Sequence, residues 1–146
     1  MKPNEYLHSM ISTLQFRKAS CIFRQLTQSE QMDFIILEAA EAANSTILDF
    51  LSFLLDENET ALYHLLTAMA LIQMCWLKDA YQLAYMHACA LLKLEPTAEH
   101  KEFMLFFFDI PEKILSKEQA FILAKEILLE KPTSIAANRI ATKLSE

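Results

Sequence analysis

The chain has 146 residues, 13 basic and 19 acidic for a net charge of −6, 53% apolar residues and not a single glycine. That size and apolar content suit one compact domain, 1–146, while the missing glycine excludes P-loop and Rossmann phosphate cradles, which need close backbone approach, and disfavours tight two-residue hairpins. The acidic balance, without any Lys/Arg cluster, argues against nucleic acid and favours a basic protein as partner.

Apolar residues recur at spacings of three and four along almost the whole chain, amid strong helix formers, so the reading is all-α. Helices are predicted near 4–14, 17–26, 29–43, 45–56, 59–76, 79–94, 98–109, 116–130 and 133–145. The N-terminal residues lack the basic start, apolar run and cleavage site of a secretory signal. Cys21, Cys75 and Cys89 are odd in number and lie in apolar segments, so they read as buried free thiols in a reducing, cytoplasmic compartment. Thr60 to Leu77 carries no Asp, Glu, Lys or Arg. With its polar interruptions His64, Thr67 and Gln73, and followed by the shorter uncharged run Ala80 to Leu92, it reads as a buried central hairpin, with no membrane partner.

Proline and capping residues punctuate the later helices. Pro96 and Pro132 push their preceding residues out of the helical region, and Thr97 and Thr133 stand next as N-cap candidates. Ser116 and Gln119 have the spacing of a capping box. The joints also repeat: the segment starting at Leu54-Leu55 aligns with Leu91-Leu92 at a spacing of 37, and with Ile127-Leu128 a further 36 along. The small pairs Ala84/Ala88 and Ala120/Ala124 precede the two proline joints. A helix pair every 36 or so residues is solenoid spacing.

On these residues the chain resembles a degenerate tetratricopeptide-like repeat protein. Residues 65–98 carry Leu71, Tyr81, Ala84, Leu92, Leu94, Glu95 and Pro96 at the family's positions, and 101–134 keeps Ala120, Leu128 and Pro132. Ile72 and Phe108 replace the family's small residue in the first helix, and Pro111 interrupts the second unit. The resemblance implies antiparallel helix pairs stacked as a short right-handed α/α superhelix of about 8–9 helices. It also implies that the first helix of each pair carries ligand contacts, which points to Thr67, Met74 and their neighbours.

Chemical sites are sparse. His8, His64, His87 and His100 show no H-x-x-x-H or H-E-x-x-H spacing, so no metal site is expected. Cys75 and His64 lie too far apart on one helix for a nucleophile and its base, and Cys89 and His87 point to different faces. No catalytic residue and no cofactor is assigned. The run 103–111, ended by Pro111, is apolar around the whole helix and reads as buried on all sides, with a groove for an extended peptide or an apolar side chain as the alternative. More informative is the arc Glu30, Asp33, Glu38, Glu41 and Asn44, which also holds Phe34 and Leu37: large apolar residues framed by charge are what a partner-binding patch contains, while packing of a neighbouring repeat, which could cover Phe34, is the reading that the broad apolar requirement of stacked repeats favours. The expected partner-binding set is Phe34, Leu37, Glu38, Glu41, Tyr63, His64 and Thr67.

The function expected is that of a protein–protein interaction module, in particular a bacterial immunity protein that neutralises a toxin by occupying it, rather than an enzyme. The alternative is a small acidic secretion chaperone or adaptor that holds an extended peptide segment. Pairing of two copies through the C-terminal segment Ile135–Ile140 stays open, since an uncapped terminal repeat can bury another.

Overall fold

The structure, a computed structural model, describes residues 2–144, all of whose regular elements are helices. They are α1 (Pro3–Ser12), α2 (Phe16–Phe23), α3 (Gln28–Ala40), α4 (Thr46–Glu57), α5 (Ala61–Gln73), α6 (Ala80–Leu94), α7 (Ala98–Met104), α8 (Phe106–Asp109), α9 (Lys117–Glu130) and α10 (Ile135–Leu144). The short α7 and α8 are the two parts of the predicted 98–109 helix, separated at the buried Leu105. Among the described residues no helix is long and apolar enough to cross a membrane.

The repeat of the joints is visible in the helix ends. Helices stop at Glu57, Leu94 and Glu130, and each following helix is capped by a hydroxyl three residues upstream of the amide it accepts. Thr60 accepts from the Tyr63 amide, Thr97 from His100 and Ser134 from Ala137, at 3.1, 3.2 and 3.1 Å. The third cap is therefore Ser134 and not the predicted Thr133. Threonine one residue too early cannot reach the third helical amide, whereas the Ser134 hydroxyl can. Ser116 and Gln119 form the expected capping box, and Thr27 with Glu30 forms another. The Thr27 backbone amide, with help from its hydroxyl, holds the Glu30 carboxyl below the usual carboxylate range. All four alanines of the pairs Ala84/Ala88 and Ala120/Ala124 are fully buried.

By its internal packing the chain divides into two compact units, residues 1–84 and 85–146, with the division inside α6. In the first, α5 packs on both α3 and α4, while α1 packs on α2 and α4. Its core is built on Phe23, Phe34 and Phe50, with Leu7, Ile35, Leu51, Leu54, Leu66 and Met74 around them. Phe50 meets Phe23 edge-on, with ring centroids 5.6 Å apart, and Phe23 meets Phe34 at 6.3 Å. Such tilted and T-shaped pairs are the favoured geometries for aromatic quadrupoles.

In the second unit α9 packs on α7 and α10. Tyr85 and Phe106 each meet Phe107 edge-on, both at 5.3 Å, so the aromatic run read from the sequence as buried is largely so. Glu102 on α7 ties down the start of α10: it accepts from the Ser134 hydroxyl at 2.6 Å and from the Lys131 ammonium at 3.0 Å. Ser134 above all, and then Lys131, hold its carboxyl below the usual range. A carboxylate whose pKa is depressed on folding contributes stability above its unfolded pKa and loses it as pH falls through the folded value. Glu102→Ala is therefore expected to cost about 1 kcal/mol at pH 7, discounted for its partial exposure. Its melting temperature should converge with that of the parent in acid, once pH has fallen through the lowered folded-state pKa and the carboxylate is protonated in both states. An equal gap at pH 7 and in acid in thermal melts would contradict this role.

Without glycine, three turns among the described residues place ordinary residues in the left-handed region: Leu14 (φ 64°), Asp79 (φ 60°) and Lys113 (φ 45°). Aspartate tolerates this conformation best, while for leucine the Cβ crowds the following carbonyl at a cost of roughly 1–2 kcal/mol. Leu14 is also 66% exposed and has little packing to lose. Leu14→Gly is expected to stabilise the chain by up to about 1 kcal/mol, after the larger unfolded-state entropy of glycine is subtracted. A urea midpoint at or below that of the parent would refute the strain.

The cysteines depart from expectation. Cys21 and Cys75 are exposed and Cys89 half-buried, though all three are free thiols. Cys21 falls outside the Ala19, Ser20 and Phe23 face that α2 buries, and Cys75 lies in the turn after α5 ends at Gln73.

Candidate functional site

The end of α3 and the start of α4 approach α1 within the first unit, leaving an open cleft of about 280 Å3 between them. Glu38 and Glu41 come from α3 and its C-cap, His8 and Ile11 from α1, and Asn44 and Ile47 from the turn and α4. The volume lies just below the roughly 300–1,000 Å3 of small-molecule pockets, so it suits one inserted side chain.

The cleft is organised around Glu38. His8 Nδ1 stands 3.0 and 2.8 Å from the two Glu38 carboxylate oxygens. An ionised carboxylate only accepts, so the proton is on Nδ1 and His8 donates. That contact fixes the Glu38 side chain, which is 19% exposed, at the cleft wall. Glu41 is exposed at the rim and caps the C-terminus of α3, its amide donating to the Leu37 carbonyl at 3.1 Å. Asn44 Oδ1 accepts from the Thr46 amide at 3.0 Å and orders the turn into α4.

Three sources of negative potential converge here: Glu38, Glu41 and the carbonyl end of α3, whose last turn has no basic side chain to neutralise it. Ile11 and Ile47 provide buried apolar walls beside these charges. A side chain with an aliphatic stem and a cationic head matches both features. Ser12 lines the same cleft four residues after His8, and among the described residues no hydrogen bond joins its hydroxyl to His8.

Of the residues expected to bind a partner, Glu38 and Glu41 line the cleft and Leu37 is 53% exposed one turn before Glu41. Residues four apart share a helix face, so Leu37 and Glu41 are surface neighbours. Phe34, Tyr63, His64 and Thr67 are instead buried at 2–7% exposure and are withdrawn from the contact surface. The reason is that α5 packs against both α3 and α4, which covers the face Phe34 presents and encloses the polar residues of α5. Thr67 satisfies its hydroxyl on the Tyr63 carbonyl at 2.8 Å, and His64 lies 3.5 Å from Glu59. Met74, implied as a contact by the repeat resemblance, is fully buried as well. His8 was not foreseen as part of the site: it lies thirty residues from Glu38, and nothing in its local pattern announces the pairing.

Fold and cleft together define an all-helical protein with a small acidic recess on its first unit. No family model, no curated protein and no solved structure matches the chain.

Proposed function

We propose that the chain acts stoichiometrically, by binding another protein that inserts a lysine or arginine side chain into the acidic cleft. The observation that carries this reading is the convergence of Glu38, Glu41 and the uncompensated C-terminus of α3 on a recess of one side chain's size, beside the exposed Leu37. A charged pocket with an apolar neighbour is the usual anatomy of an interface anchor. The role that fits is that of a bacterial immunity protein occupying a basic toxin. The three free cysteines support a reducing compartment such as the cytoplasm. Helix ends that recur at the spacing read from the sequence support a degenerate tetratricopeptide-like repeat. A secretion chaperone or adaptor would hold an extended segment along a continuous groove, and the small size of the cleft favours a folded partner over that alternative.

The test is quantitative affinity capture from the source cell with the parent chain and with Glu38→Lys/Glu41→Lys. The expected result is a protein of high isoelectric point retained by the parent and lost from the variant. Identical sets on both baits would sink the reading, and retention of a short peptide fragment as strongly as the whole partner would favour the chaperone.

A further inference from the structure

The unit formed by residues 85–146 has a groove of the opposite sign. It measures about 350 Å3 and lies between α8, the loop that follows it, the start of α9 and the end of α10. Its apolar surface comes from Phe108, Leu115 and Leu144, and among the described residues every charged side chain lining it is a lysine: Lys113, Lys117 and Lys143. Two of the ammonium groups face one aromatic ring, Lys113 Nζ at 4.6 Å and Lys143 Nζ at 5.8 Å from the Phe108 centroid. Lys113 Nζ also donates to the Phe108 carbonyl at 3.4 Å.

In the same unit Lys101, Lys131 and Arg139 each meet a carboxylate. Among the described residues no ion pair joins Lys113, Lys117 or Lys143 to an acid. A chain with net charge −6 thus concentrates uncompensated positive charge around an apolar floor.

We propose that this groove binds an acidic peptide segment of a partner protein, seating a bulky apolar side chain against Phe108, Leu115 and Leu144 while flanking carboxylates meet the three lysines. Charge complementarity selects the acid, and the apolar floor selects a peptide carrying Phe, Leu or Trp over a bare inorganic anion. A membrane surface is a poorer match, because anionic lipid recognition uses clusters of roughly four to eight basic residues. The proposal shares no residue with the acidic cleft of the first unit and does not depend on it.

The probe is a pool of fluorescein-labelled dodecapeptides alternating Asp or Glu with Phe, Leu or Trp, compared by anisotropy with a pool in which Lys or Arg replaces the acids. The acidic pool is expected to bind the intact chain at least tenfold more tightly than the basic pool. Lys113→Glu/Lys143→Glu should lose at least tenfold of that binding, and Glu38→Lys/Glu41→Lys should leave it intact. Lys117→Glu is the control for folding, because an acid in the first turn of α9 favours the helix, and it should weaken binding at least threefold. Equal affinity for the two pools, or acidic-pool binding unchanged in a folded lysine variant, overturns the proposal. So does self-association of the chain that the acidic pool displaces, which would assign the groove to a second copy.

Discussion

Phe50→Ala is expected to destabilise the chain by about 3–5 kcal/mol, the usual range for emptying a buried phenylalanine site. Phe50 is fully buried and is the ring on which Phe16 and Phe23 converge, at 5.8 and 5.6 Å. Truncation removes the transfer free energy of the ring, both aromatic contacts and the support they give to α2. The surroundings cannot collapse easily, because α4 is held by α5 on one side and by α1 and α2 on others. For a chain of this length each kcal/mol moves the melting point by roughly 2–4 °C, so a fall of about 10 °C is expected in calorimetry. Phe53→Ala is the internal comparison: Phe53 is only half-buried and among the described residues meets one ring, Phe16, at 5.9 Å, so it should cost less than half as much. Equal effects would mean that the core is not centred on Phe50.

The helices themselves were legible because each depends on local chemistry. Period, proline joints and hydroxyl caps are written within a few residues of where they act, which is why ends at Glu57, Leu94 and Glu130 follow the sequence repeat. What escaped were breaks without the usual markers. Leu14 and Lys113 turn the chain at positive φ, a role ordinarily advertised by glycine, and the split at Leu105 falls inside an unbroken apolar run. The candidate site was legible in part for the same reason. Glu38, Glu41 and Leu37 share an arc that helical spacing reveals, but spacing cannot say which faces gain a neighbour. Phe34 lies in that arc and is covered, because α3 packs on α5. His8 and the lysine groove around Phe108 come together only through tertiary structure, from positions about thirty residues apart in each case.

Glu38→Lys/Glu41→Lys is expected to weaken partner binding by about 100-fold at 0.1 M salt, close to 3 kcal/mol. A unit charge pair at 4 Å is worth roughly 4 kcal/mol at the effective dielectric of a protein surface, and reversal replaces attraction with repulsion. Two effects bring the figure down: Glu41 is exposed and screened, and an inserted cation must shed water. The two positions should act differently. Glu41→Gln, at the rim, should slow association and flatten the dependence on salt, because long-range steering is what an exposed charge contributes. Glu38→Gln should speed dissociation instead, since His8 holds its carboxylate at the cleft wall where a cation would be desolvated. Stopped-flow or surface-plasmon measurements separate the two rates. If both substitutions changed only the association rate, the carboxylates would be steering a partner that docks elsewhere, and the side-chain insertion would have to be abandoned even though the acidic surface still mattered. If neither rate changed while Leu37→Asp abolished binding, the apolar face of α3 alone would be the anchor.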